Sequence, residues 1–301
     1  MNMKVDLCGV TLNNPVMTAS GTFGSGAEYA EFVDLNKLGA VVTKGVANVP
    51  WPGNPTPRVA EVYGGMLNAV GLQNPGIDLF VERDIPFLKQ FDTKIMVNVC
   101  GHSTEEYIEV VERLRDQPVD LLEINISCPN VKEGGIAFGQ DPKAVEAITK
   151  EMKKHAAQPV IMKLSPNVTD ITEMARAAEA GGADGLSLIN TITGMKIDID
   201  RQKFVLANKT GGMSGPAIHP VAVRMVYQTA QAVSLPIVGM GGIMNAEDAI
   251  EMILAGATAV SVGTANFTNP HVTEEIVAGI RDYMERYQVA DIKDLVGAVH
   301  E

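Results

Sequence analysis

Residues 120–130, DLLEINISCPN, read as a buried strand that runs straight into a polar loop. Leu121, Leu122, Ile124 and Ile126 supply its apolar body, and Asn125, Ser127, Cys128 and Asn130 gather at its C-terminal end. Pro129 has no backbone N–H to offer a ladder, so pairing ends there. The following residues, 131–140, carry Gly134, Gly135 and Gly139, which let that loop hinge. A thiol at a strand tip, under a loop able to close, is a candidate catalytic group. The competing reading is a small core residue, since structural buried thiols are inert. The polar neighbours of Cys128 favour the first.

The same order of strand, polar tip and helix recurs in both directions. Strand-like runs occupy residues 15–19, 40–43, 94–99, 159–164, 184–189, 236–238 and 258–262. Their tips hold Ser20, Lys44-Gly45, Asn98, Lys163, Asn190-Thr191, Gly241-Gly242 and Gly263-Thr264. Helix starts stand between them. Ser25 with Glu28 and Ser103 with Glu106 have capping-box spacing, the first predicting a helix towards Leu38. Asp141-Pro142, Thr169 or Asp170, and Asn245 are further caps. Helices are also predicted over residues 77–90 and 220–233, and from near Pro270. Leu38-Gly39-Ala40, Ala180-Gly181-Gly182-Ala183 and Ala255-Gly256-Ala257 repeat one helix-to-strand joint.

Such alternation argues for a parallel sheet. With residues 120–130 there are eight units, the count of a closed (β/α)8 TIM barrel. The expectation is a single domain over residues 1–301, with two long polar segments, 46–76 and 192–215, above the C-terminal face. A doubly wound sheet is the alternative.

The bulk properties narrow the function. The chain has 301 residues, 46% of them hydrophobic, enough for a large core. No run reaches the ~18 apolar residues of a membrane span. The first residues, MNMKVDLCGV, lack the regions of a signal peptide, so a cytoplasmic protein with no membrane partner is expected. Cys8, Cys100 and Cys128 are far apart and form no metal-type cluster, so no metal is expected. A net charge of −12 opposes binding to nucleic acid.

Against that charge, Lys44 and Lys163 stand out. Two lysines converging in one barrel cost several kcal/mol to desolvate without an anion nearby. Set among Asn98, Asn125 and Asn190, they point to an anionic or electron-accepting ligand. The alternative for either alone is a side chain that reaches solvent. Gly241-Gly242 and Gly263-Thr264 follow the last two strands, where barrels bind phosphate on backbone N–H groups. Ordinary tight turns are the bland reading, and the run from Gly239 lacks the third glycine of a dinucleotide fingerprint. Residues 68–76, NAVGLQNPG, could read a flat ligand with donors and acceptors, or be a plain surface loop. His219, before Pro220, reads as a cap-region residue.

Taken together, TASGTFG around Ser20, TKGV at Lys44, NAVGLQNPG, INISCPN at Cys128, MKLSPN at Lys163, LINT at Asn190, GMGGI at Gly241 and SVGTA at Gly263 resemble the dihydroorotate dehydrogenases. The resemblance runs along nearly the whole chain. It is nearest to class 1, whose base is Cys rather than Ser, and within it to the NAD-linked type B catalytic subunits. It implies FMN at the barrel mouth, its phosphate on Gly241, Gly242, Gly263 and Thr264. Asn98, Asn125 and Ile189 would flank the flavin, Ser20, Gly45 and Gly215 would contact it, and Lys163 would face its pyrimidine edge. Lys44 would lie between flavin and substrate. Dihydroorotate would be held by Lys44, Asn68, Ala69, Val70, Gly71, Leu72, Asn125, Asn190 and Thr191.

Catalysis would fall to Cys128 and Lys163. Cys128 would take a proton from C5 while hydride passes from C6 to flavin N5, giving orotate for pyrimidine synthesis. Residues 131–140 would close as a lid. The chain has no second nucleotide domain and no cysteine cluster for iron–sulfur. The resemblance therefore implies a partner subunit carrying FAD and a [2Fe–2S] cluster, in a heterotetramer of two chains of each kind, with NAD+ as final acceptor. The alternatives are a fumarate-linked homodimer, a non-redox phosphate-binding isomerase or lyase in which Cys128 only packs, and a non-catalytic binding chain.

Overall fold

Eight parallel strands close on themselves in the order of the sequence. They are β1 (Val16–Thr18), β2 (Ala40–Val42), β3 (Lys94–Val99), β4 (Leu121–Asn125), β5 (Val160–Lys163), β6 (Gly185–Leu188), β7 (Ile237–Met240) and β8 (Ala259–Val262). The last ladder, Val260 to Val16 through Val262 to Thr18, joins β8 to β1. The structure is a computed structural model and describes residues 1–126 and 138–300. All eight expected strands are present. Their runs are apolar rather than alternating because helices cover the outside and side chains fill the inside.

Six longer helices form the outer ring: α1 (Thr104–Leu114), α2 (Pro142–His155), α3 (Ile171–Ala180), α4 (His219–Ala232), α5 (Ala246–Leu254) and α6 (Val272–Arg286). Four of the expected caps form. Ser103, Asp141, Asp170 and Asn245 each accept a hydrogen bond from a first-turn amide. At α1 the Glu106 carboxylate also reaches back, accepting from the N–H of His102, the residue before the cap, at 2.6 Å. Residues 77–88 are helical as expected, with a wider π turn over Phe80–Asp84. Pro86, which has no N–H to donate, follows that turn.

The helix expected from Ser25 to Leu38 does not form. Gly24 and Gly26 flank the would-be cap with φ of +56° and +96°, a left-handed backbone that breaks an α run. The segment turns instead, with Phe23 and Tyr29 stacked at 4.3 Å, and Asp34 caps a short 3-10 turn, Leu35–Lys37. The first strand therefore reaches the second without an α-helix.

The two long polar segments are not separate loops. Val59–Val62, Gly65–Asn68, Thr210–Ser214 and Ile192–Met195 pair into one antiparallel four-stranded sheet. Glycine makes the close approach possible. A Cβ on Gly65 would lie 1.9 Å from the Ser214 carbonyl oxygen. Beneath the sheet, Ala60, Leu67, Ala69 and Leu206 form a small apolar cluster of their own. The main core is a single cluster through the barrel and its helices. No helix among the described residues is long and apolar enough to cross a membrane.

An N-terminal hairpin, Val5–Leu7 with Val10–Leu12, lies at the opposite end of the barrel, and its turn puts Cys8 against the start of β6 at Gly185. Burial there, with the Asp184 and Asp6 carboxylates nearby, pushes the Cys8 thiol up to about 12. The nucleophilic thiolate is therefore scarce near neutrality. Iodoacetamide at pH 8 should leave Cys8 unlabelled in the native protein and label it after denaturation, as read by peptide mass mapping; rapid native labelling would contradict this. A Cβ on Gly39 would sit 2.0 Å from the Asn14 carbonyl oxygen. Gly39→Ala should lower the unfolding free energy by about 1–3 kcal/mol in urea titration, the usual range for overpacking.

Candidate active site

Each barrel strand delivers a polar or glycine tip to the same rim, and the tips enclose a cavity of about 380 Å³. Ser20 and Lys44 follow β1 and β2, Asn98 lies within β3, and Asn125 and Lys163 end β4 and β5. Ile189, Asn190 and Thr191 follow β6, while Gly241-Gly242 and Gly263-Thr264 follow β7 and β8. Gly45 and residues 68–72 complete the wall, the latter leading out of the cover sheet. The expected residues other than Cys128, which lies outside the described residues, and Gly215 thus line one cavity. Gly215 stands just behind the wall, where its carbonyl would be 2.8 Å from a Cβ on Gly242; its neighbour Ser214 faces the cavity.

The floor is a buried polar network. Side chains alternate along a strand, so residues two apart share a face. On β4 this places Asn125 and Glu123 together, and Glu123 is in register with Asn98 of β3. The Asn98 amide donates to the Glu123 carboxylate at 2.6 Å, and the Asn125 amide approaches the Asn98 carbonyl at 3.4 Å. Lys163 Nζ lies 3.7 Å from Glu123 Oε2 and donates to Ser20 Oγ at 3.1 Å. Lys163 is 4% exposed and Glu123 not at all, so this is a desolvated ion pair. The fully buried Tyr107 of α1 donates its hydroxyl to the Asn125 carbonyl at 2.7 Å, anchoring the tip of β4.

Glu123 is the buried member of this network that the sequence reading passes over. Its signal is the i, i+2 spacing to Asn125 inside an apolar run. Lys44 is half-buried, and a Cβ on Gly21, the neighbour of Ser20, would lie 3.9 Å from its Nζ.

The glycine end is held from behind. Gly241 and Gly242 have φ of +130° and +69°, and a Cβ on Gly242 would also meet His219 at 2.8 Å. His219 opens α4, and its Nδ1 lies 2.8 Å from the Gly241 carbonyl oxygen. Its role at the helix start, expected from sequence, thus includes bracing this turn. Thr264 donates its hydroxyl to Ser214 at 2.7 Å and precedes the short helix Ala265–Thr268. Two amides of its first turn, those of Asn266 and Phe267, donate back to the Gly263 and Thr264 carbonyls at 3.0 Å. Cys128 and residues 131–137 of the expected lid lie outside the described residues; Phe138–Gln140 form a 3-10 turn.

Chemically, the cavity pairs cations and two-way amides at one side with a glycine cradle at the other. It suits a long ligand that is flat and electron-poor at one end and anionic at the other.

Comparison with known proteins agrees with that geometry. The family model for dihydroorotate dehydrogenase matches residues 2–284. A protein of Lachnoclostridium phytofermentans called dihydroorotate dehydrogenase B (NAD(+)), catalytic subunit, is 72% identical over 299 residues, covering 99% of this chain and 100% of that one. A protein of the same description from Alkaliphilus metalliredigens is 65% identical, covering 99% of each. Among solved structures, an Eimeria tenella dihydroorotate dehydrogenase in complex with ferulenol superposes with a TM-score of 0.82 at 22% identity, over 99% of this chain and 88% of that one, a likeness of fold. With the family matched along almost its whole length, the chain belongs to the dihydroorotate dehydrogenases.

Proposed function

We propose that this chain, as one catalytic domain, oxidises dihydroorotate to orotate on bound FMN, and that the electrons leave for NAD+ through a partner subunit. The observation that carries this reading is the single cavity shared by Lys44, Lys163, Asn98 and Asn125 at one end and the glycine turns at the other. The family is flavin-dependent, and close relatives are described as catalytic subunits of the NAD(+)-linked B type.

The residues present fit FMN. Gly241 and Gly242 form a cradle in which a Cβ would collide, which leaves room for a phosphate on the amides of these turns and of Gly263 and Thr264. The neutral amides of Asn98 and Asn125 can both donate and accept, as the flavin edge requires. Lys163 supplies a fixed positive charge held against Ser20, Gly45 beside Asn98 leaves room for the ring, and Ile189 is an apolar wall. When bound, FMN supplies the acceptor for the hydride leaving C6 of the substrate.

The chain's own residues do the rest. Lys44 meets the substrate carboxylate in a cavity sheltered by the cover sheet. Residues 68–72 with Asn190 and Thr191 orient the ring. The Thr191 N–H donates to the Asn190 side-chain oxygen at 2.8 Å, and Asn167 holds the Thr191 carbonyl at 3.0 Å, so this pair is fixed before substrate arrives. Cys128 takes the C5 proton as general base, and residues 131–140 exclude water as a lid. The partner would carry FAD and [2Fe–2S] in a heterotetramer of two chains of each kind, working in the cytoplasm.

Four measurements check this. The purified chain should be yellow with FMN and bleach anaerobically with dihydroorotate; Cys128→Ser should keep the colour and lose about 10²–10⁴-fold in the rate of bleaching, the range for a general base. Because the free thiol titrates near ~8.5 and only its thiolate is the base, that rate should climb with pH and level off above the thiol pKa. Gly242→Val, which adds side-chain atoms at φ +69°, should abolish FMN retention on gel filtration while the barrel's circular dichroism persists. Co-purification without iron or FAD would count against the NAD-linked assembly.

A further inference from the structure

Glu123 is a wholly buried carboxylate that does not reach the cavity wall. It stands behind Lys163, which does. Oε2 takes the Asn98 amide and faces the Lys163 ammonium, while Oε1 has no hydrogen-bond partner among the described residues. An isolated buried charge of either sign is expensive, so each of the two makes the other tolerable. The position has a further consequence. Lys163 presents its positive charge to the cavity, and Glu123 sets a negative charge a few ångströms behind it. In a dry interior such a charge is felt strongly. A lone lysine would favour the electron-rich form of a bound flavin so strongly that onward transfer would suffer.

We propose that Glu123 is a positioning residue, the buried counter-ion that fixes Lys163 against Ser20 and tempers its field on the flavin. The electronic part rests on the FMN reading above; the ion-pair part does not. Glu123 does not line the cavity and acts through the residues it holds, Lys163 by its charge and Asn98 by a hydrogen bond that Gln can also accept.

The test is the two-electron midpoint potential of protein-bound FMN, measured anaerobically against reference dyes at fixed pH. Glu123→Gln keeps the shape and the acceptor for Asn98 but removes the charge. It should favour reduced over oxidised FMN by about tenfold, a positive shift of about 30 mV for a two-electron couple. Glu123→Asp keeps the charge and should stay nearer the wild type. An E123Q potential equal to the wild type, or one equal in E123D and E123Q, overturns the electronic role. A second measurement needs no flavin. Lys163→Met strands the carboxylate and should lower the thermal midpoint sharply, and the double variant E123Q/K163M should recover much of the loss. Simple additivity of the two single losses overturns the pairing, even if E123Q holds no FMN. Wild-type protein that takes up no FMN would sink the flavin reading and the electronic role with it, leaving the melting cycle to decide the ion pair.

Discussion

Closing eight parallel strands on themselves removes every sheet edge, and it also forces each strand to bring its C-terminal end to one rim. The rest of this protein follows from that constraint. Residues scattered from Ser20 to Thr264 become neighbours because the ladder from Val260 to Val16 shuts the ring. Short strands suffice, since β1, β2 and most others need only span the barrel wall. The rim is then furnished by whatever residue follows each strand, which is why polar and glycine tips are tolerated beside so apolar a core.

The electrostatics of the rim run against the molecule as a whole. The chain carries a formal charge of −12, yet two lysines face one cavity. Lys163 is held there by an internal carboxylate and a serine hydroxyl rather than by solvent. Asn98 connects that carboxylate to Asn125, and Tyr107 ties Asn125 to the helix outside the barrel. Buried hydrogen-bonded networks hold their members in place, and the geometry they impose is available before any ligand arrives.

Much of this is legible in the linear sequence, for local reasons. Strand runs bounded by turn residues, and caps such as Ser103, Asp141, Asp170 and Asn245, depend on neighbours a few residues away. The glycine pairs after β7 and β8 announce themselves in the same way. What escapes is what depends on distant partners or on backbone sign. The Ser25 capping box is overruled by two glycines with positive φ. The cover sheet is invisible because Gly65–Asn68 and Thr210–Ser214 have weak strand character alone and acquire it only by pairing across the chain. Glu123 hides in an apolar run because its partners lie on other strands. Cys128, the residue from which the reading began, belongs to the stretch between Ile126 and Phe138 that the structure does not describe.

The cover sheet joins the connection after β2 to the connection after β6. These two excursions are far apart in sequence and meet only above the mouth. The molecule is therefore built in separable parts: a roof stitched from two insertions, and a floor rooted in the staves. A lineage could retailor the roof for a new metabolite, by exchanging both insertions together, while inheriting the floor unaltered.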